Sequence, residues 1–390
     1  MFDTPSESKA SAPVQGAVEV VQGSNGQVQD KPLSQLSTGD HTIQFDDGRQ
    51  FLVHVPKTES TASLPAMFVF SGSAEPIYNI KDFAPESGMS GVADEDPNHP
   101  FVVVYPLMKE HKIGIYSDTP AFAFNASGSL IGDNDRIHAG YNDIDYVKSI
   151  VNLMPQITNV DSSHKDWGAV AFSQGGVFLN DVVATIPNLF PSVGLVGTAM
   201  QKGYKYDVKD GNAKNVAIVE LLGDKDTLPI RGLTTQSWKY DKDYLIRFFL
   251  RDLNIGPLHG NSVIDNADPL AAIHNEEASP MLQNKLYTHS LGKQGKDYSV
   301  TTSNLATPVA SDKKDFEIDY VPKDPTDNRR VTVWGLTQAQ HAYPAPLYGP
   351  RTNATTKYTE FDASRRFAQL FEQYNDKVHG AQQADLSQPH

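Results

Sequence analysis

The chain has 390 residues and no cysteine, with 33 Lys and Arg against 47 Asp and Glu, a formal net charge of −14. That field opposes binding to nucleic acid or to an anionic membrane, and no basic run interrupts it. Without cysteine there are no disulfides, thiolate metal sites or cysteine nucleophiles, and the redox compartment stays undecided.

At 39% hydrophobic and 21% charged residues the composition is that of a globular protein, long enough for one large core or two modest ones, and length alone allows two or three domains. Residues 1–37 are rich in Ser, Gln, Gly and Asn with little apolar periodicity, and predict a flexible tail. Its start, "MFDTPSESKASAPVQG", lacks the basic and apolar stretches of a signal peptide. The longest apolar runs, such as 101–105, fall far short of the ~20 residues that cross a bilayer.

Ordered signals begin at "HTIQFDDGRQFLVHVP" (41–56), where Asp46-Asp47-Gly48 between alternating segments predicts a hairpin. "AMFVFSG" (66–72) and "FVVVYP" (101–106) are continuous apolar runs, the pattern of parallel strands covered on both faces. In 142–157, Ile144, Val147, Val151 and Met154 fall at helical spacing behind Asn142 and Asp143, which suit a helix start. "VGLVGTAM" (193–200), "VAIVELL" (216–222) and "RVTVWGL" (330–336) read as further buried strands. A helix over 362–374 carries Phe367, Leu370, Phe371 and Tyr374 on one stripe. Strands alternating with helices predict a mostly parallel α/β sheet in one domain. Residues 255–315 break the alternation and read as a lid-like insertion over the sheet's C-terminal edge.

The stretch "DWGAVAFSQGGVFLN" (166–180) places Ser173 between an apolar run and two glycines. Ser and Gly are ordinary turn residues, so a plain strand-to-helix loop would look the same. A nucleophile elbow also has this form, with small residues two before and two after the serine, here Ala171 and Gly175. The Gln174 amide would then sit at a helix start, where an oxyanion is stabilised. A second donor is expected after an early strand, and in "FVFSGSAEP" (68–76) the Ser73 amide is the candidate. An acid is expected in the loop of "VAIVELLGDKDTLPIRG" (216–232), where Asp226 is favoured and Asp224 is the alternative. His341, in the loop after 330–336, completes the order serine, aspartate, histidine expected of an α/β-hydrolase. The acids and His138 of "GDNDRIHAGYNDIDY" (132–146) lack EF-hand order and zinc-binding spacing; an acidic helix start explains them better than a metal site.

The same segments resemble the esterase family that includes polyhydroxybutyrate depolymerases, feruloyl esterases and acetyl xylan esterases, over roughly 40–250 and 316–375. "FDDGRQFLVHVP" is similar to that family's opening hairpin, and residues 68–106 to its oxyanion loop, following helix and second strand. "VDSSHKDWGAVAFSQGG", "LLGDKDTLP" and "QAQHAYP" are similar to its nucleophile, acid and base segments. The resemblance implies Ser173 as nucleophile, Asp226 as acid, His341 as base, Ser73 and Gln174 as oxyanion amides, and Phe124 and Tyr343 as substrate-binding residues. It implies no cofactor, an ester of a polyester oligomer or a polysaccharide as substrate, and a secreted or periplasmic protein. The chain departs from the family in having Ser71-Gly72 where His-Gly is usual, Gln340 where Gly is usual, and no cysteines.

The sequence therefore predicts an α/β-hydrolase with a mostly parallel central sheet flanked by helices. A flexible tail (1–37) precedes a catalytic domain (38–375, insertion 255–315), and a C-terminal tail (376–390) follows it. The predicted activity is serine ester hydrolysis without metal, nucleic acid or membrane. An idle hydrolase fold used for binding, or a peptidase or thioesterase on that fold, are the alternatives, since the triad does not select the acyl bond.

Overall fold

A computed structural model describes residues 16–22, 27–73, 87–112, 120–125, 142–186, 189–198, 217–223, 298–304, 316–323, 330–336, 339, 341–344 and 361–386. In chain order the first half comprises β1 (Ala17–Gln22), β2 (Val28–Pro32), β3 (Gly39–Phe45), β4 (Gln50–Val55), β5 (Ala66–Phe70), α1 (Met89–Glu95), β6 (Val102–Pro106), β7 (Lys109–Lys112), β8 (Pro120–Ala123) and α2 (Asp143–Ile157). The second comprises β9 (Gly168–Phe172), α3 (Gln174–Thr185), β10 (Ser192–Val196), β11 (Ala217–Gly223), β12 (Tyr298–Asn304), β13 (Phe316–Pro322), β14 (Arg330–Leu336) and α4 (Ala363–Leu386).

Twelve of these strands form one sheet in the order β12-β13-β14-β11-β10-β9-β5-β6-β4-β3-β1-β2, while β7 and β8 pair separately. The central strands β14-β11-β10-β9-β5-β6 are all parallel, and antiparallel strands extend both edges. The apolar runs behave as expected of doubly covered strands. Along β5, Phe68 and Phe70 join a core with the buried sides of α2 and α3, whereas Met67 and Val69 join one with α1 and α4. Helices thus cover both faces of the sheet.

The hairpin lies where the Asp-Asp-Gly signal puts it, with Gln44 opposite Gln50. Gly48 supplies the positive φ of 80° that the turn requires, and the Arg49 amide donates to Asp47 Oδ1 at 2.9 Å.

Three boundaries differ from the sequence expectation. The predicted flexible tail 1–37 contains β1 and β2, which pair with each other and dock on β3. The outermost strand β2 needs few apolar residues because every one of its residues is exposed, whereas β1 (AVEVVQ) is largely apolar and buries Ala17 and Glu19. The predicted C-terminal tail 376–390 is helical as far as Leu386, as a continuation of α4. Within the predicted insertion, residues 298–304 are no lid but the outermost strand of the sheet, paired with β13. The remainder of 255–315 lies outside the described residues.

Candidate active site

In an open parallel sheet, ligands bind beyond the C-terminal strand ends, where the order of strands reverses. Here the reversal falls at β5 and β9: the chain leaves β5 for β6 on one side, then returns through β9, β10, β11 and β14 on the other. The loops after β5 and β9 are residues 71–73 and the turn at Ser173.

Ser173 has φ 52° and ψ −121°, a backbone state that a residue with a Cβ rarely adopts and that costs on the order of 1–3 kcal/mol. Neighbouring groups enforce it. The Ser173 amide donates to the Val196 carbonyl at 2.9 Å, and the Thr198 hydroxyl donates to the Ser173 carbonyl at 2.9 Å. A Cβ on Gly175 would lie 2.3 Å from the Ser71 carbonyl oxygen, and one on Gly72 would lie 2.9 Å from Ser173 Cβ. One on Gly176 would meet Thr198 at 2.6 Å. The two loops therefore touch directly through bare backbone, as an elbow demands. Ala171, in place of the usual first glycine, is fully buried.

His341 follows β14, three strands away from β9 in the sheet. Its Nε2 lies 2.8 Å from Ser173 Oγ. The imidazole packs tilted against Phe172, with ring centroids 4.9 Å apart at 33°. A hydroxyl hydrogen-bonded to an imidazole nitrogen is the arrangement from which the base can take the proton as the oxygen attacks. Two residues 168 positions apart in the chain are thus brought into contact.

Ser73 ends the described part of the β5 loop and is half-buried. Gln174 opens α3, and a first-turn amide has no acceptor within its own helix. Its side chain is nearly fully buried and exchanges two bonds with Phe124: it accepts from the Phe124 amide at 3.1 Å and donates to the Phe124 carbonyl at 2.6 Å. Asp224 and Asp226 lie outside the described residues. The register nonetheless carries β11 to Gly223, two residues beyond Leu221, which is level with Val196 of β10, itself level with Phe172.

The Phe124 ring, expected at a substrate contact, has no exposure: it stacks on Phe178 at 4.6 Å, with Phe70 edge-on at 5.6 Å. Tyr343 is half-buried, its ring edge-on to Phe172 at 6.3 Å and its hydroxyl 2.7 Å from Ser364 Oγ.

The sequence reading also missed what anchors the segment beside the elbow. Asp143, read only as a favourable helix-start acid, forms a buried ion pair with Arg49 and accepts from the Asn125 amide. The Arg49 guanidinium lies 3.7 Å from the centre of the Tyr146 ring. Burial raises the Tyr146 phenol far above its ordinary range, so it stays neutral and accepts from the Leu107 amide at 3.1 Å. Arg49 and Asp143 are 94 positions apart, each in a polar stretch (DDGRQ and YNDID), so nothing local marks them as a buried pair. Among the described residues, no group of three or more His, Asp or Glu is placed to hold a metal ion.

Parallel sheet, covering helices and strained serine elbow define the α/β-hydrolase fold. No protein-family model matches the sequence, and no curated protein matches it. Parts of the chain are similar to solved structures at low identity. One is a thermostable esterase (15% identity, 54% of this chain and 55% of that one, TM-score 0.36), so the chain spans about half of that protein's length. Another is a substrate-bound, fluorophosphonate-binding serine hydrolase of Staphylococcus aureus (12%, 52% and 82%, TM-score 0.35). A third is an S-formylglutathione hydrolase of Agrobacterium tumefaciens (9%, 88% and 98%, TM-score 0.41).

Proposed function

We propose that the protein is a serine ester hydrolase working through an acyl-enzyme. The observation that carries this reading is the 2.8 Å contact between His341 Nε2 and a Ser173 hydroxyl held on a strained elbow. In the reaction, Ser173 Oγ attacks the ester carbonyl carbon as His341 Nε2 takes the hydroxyl proton. The oxyanion so formed is held by the main-chain amides of Ser73 and Gln174. His341 then passes its proton to the departing alkoxide, and the acyl group remains on Ser173. A water deprotonated by His341 attacks the acyl carbonyl, and Ser173 leaves with the proton. Asp226, with Asp224 as the alternative, is assigned to hold the imidazole Nδ1–H and stabilise the imidazolium. The end of β11 at Gly223, at the same sheet edge as Ser173, supports that assignment. No cofactor takes part in these steps.

The substrate class rests on the family resemblance: hydroxybutyrate oligomers or polymers, or feruloyl and acetyl esters of polysaccharides. A panel of those esters with short acyl p-nitrophenyl esters and a thioester, run beside Ser173→Ala, tests both levels. The expected result is ester turnover that falls by about a millionfold in the variant, with covalent labelling of Ser173 by a fluorophosphonate. Labelling without turnover of any ester in the panel leaves the nucleophile and rejects the proposed substrates. Folded protein that neither labels nor turns over would establish the idle, binding reading instead.

A further inference from the structure

His341 reaches the nucleophile from a loop that must cross β11 and β10, three strand spacings or about 14 Å. An imidazole delivered over that span has no strand ladder to hold it. Its loop is instead tied to the first turn of α4. The Ala363 amide donates to the Pro344 carbonyl at 3.0 Å, and the Tyr343 hydroxyl lies 2.7 Å from Ser364 Oγ.

The direction of that second bond follows from counting protons. Ser364 Oγ donates to the Ser87 carbonyl at 2.6 Å, and a serine hydroxyl has a single proton to give. Ser364 can therefore only accept from Tyr343. The relay runs from Tyr343 to Ser364 to Ser87, which lies just before α1. Ser364 has no exposure, so water does not compete for either bond. The α1 end is fixed in turn: the Ser90 amide donates to the Tyr105 hydroxyl at 3.1 Å, and the two side-chain hydroxyls are 2.8 Å apart. Burial pushes the Tyr105 phenol up to about 12, so this group stays neutral. On its other side, Tyr343 meets Phe172 edge-on, and Phe172 carries the imidazole.

We propose that Tyr343 is a positioning residue for His341, fixing the imidazole over Ser173 through the Ser364–Ser87 relay and the Phe172 ring, and not a substrate contact. The proposal rests on the reading of His341 as the base, and it replaces the substrate-binding role expected from the sequence. A hydroxyl spent on Ser364 cannot also donate to an ester.

Tyr343→Phe keeps the ring and removes the relay's first donor; Ser364→Ala removes its acceptor. For each, p-nitrophenyl butyrate turnover should fall about tenfold in kcat with KM within twofold of the parent, since misplacement of a catalytic group slows chemistry without weakening ground-state binding. The double variant should be no slower than the slower single, because both cut the same bond. A rise in KM at unchanged kcat would restore the substrate-contact role and overturn the proposal; additive losses in the double variant would overturn the relay. Imidazole proton–carbon spectra give a readout independent of turnover, with the His341 signal assigned by its loss in His341→Ala. That signal should shift or broaden in both Tyr343→Phe and Ser364→Ala, and an unchanged signal in either overturns the proposal even if the protein proves not to hydrolyse esters. Failure of the esterase reading appears separately, as turnover that survives Ser173→Ala.

Discussion

Gly175→Ala tests the close approach on which the elbow depends. The added methyl would stand 2.3 Å from the Ser71 carbonyl oxygen and 2.8 Å from that of Phe70, both backbone atoms. Ordinary contact begins at 3.4 Å, so α3 and the 71–73 loop must separate by about 1 Å (3.4 − 2.3). No side-chain rotation can absorb this. The displacement falls between Ser73 and Gln174, the two proposed oxyanion amides, and an error of that size at a reacting centre costs about a hundredfold in rate. Overpacking adds a stability loss of about 1–3 kcal/mol. Urea unfolding and p-nitrophenyl ester turnover measure the two effects on the same sample. Ala171→Gly is the control: it relieves no clash and should leave kcat within a few-fold. A Gly175→Ala protein with parental kcat and stability would show that the two loops do not need bare backbone between them. Lost stability with parental kcat would place the movement in α3 alone, away from the amides.

Two further outcomes follow from side chains that pair across the fold. Asp143→Ala should cost about 3–5 kcal/mol in urea unfolding, because it strands the Arg49 charge, whose side chain is only 6% exposed. A loss below about 1 kcal/mol would mean that Arg49 finds water or another partner. His99 predicts a pH dependence. Its Nδ1 is 2.9 Å from Asp96 and its Nε2 2.9 Å from Glu372 of α4, and its pKa is raised first by the hydrogen bond to Asp96, then by the charges of Glu372, Asp96 and Asp376, against some desolvation. The folded state holds this proton more tightly than the unfolded chain does. The stabilisation is thus complete below the ordinary imidazole value and is lost as pH rises through the raised one. His99→Gln should flatten the slope of stability against pH in that window, and an unchanged slope would assign it elsewhere.

The parts of this fold legible in the sequence are those whose signal is local and redundant. β5, β6, β9, β10, β11 and β14 are nearly all apolar because each is covered on both faces, and a run such as "FVVVYP" leaves few other readings. The edges were not legible for the opposite reason. β13 is held to β14 by polar bonds, with Arg330 and Thr332 both donating to Asp319, and Trp334 Nε1 donating to Glu317 at 2.7 Å. Such residues look like loop residues until the partner strand is known. β2 (VQDKP) is fully exposed and hidden for the same reason, whereas β1 (AVEVVQ) is an apolar run of only six residues set among Ser, Gln and Gly. At the site, Ser173 and His341 could be found because elbow and chain order are patterns along the sequence. The Gln174 side chain on Phe124, the Arg49–Asp143 pair and the Tyr343 relay are contacts between distant segments of ordinary composition, and nothing local marks them. An aromatic beside a site, such as Phe124, reads alike in sequence whether it faces a ligand or the core.

The two halves of the site are built from different materials. Ser173 is held mainly by backbone, through glycines that allow no Cβ and a ladder bond continued from β9 to β10, with one side-chain bond from the Thr198 hydroxyl to its carbonyl. Those contacts also join β5 to β9, so any change that loosens the serine loosens the centre of the sheet as well. His341 is held by side chains, through a tilted ring contact and a relay of hydroxyls at the rim of α1 and α4. A lost hydroxyl bond there is worth about 1 kcal/mol, little against the stability of the whole domain. It is enough to let an imidazole wander from a 2.8 Å contact. Substitutions on the base side should therefore separate activity from stability, whereas substitutions on the nucleophile side should lower both together.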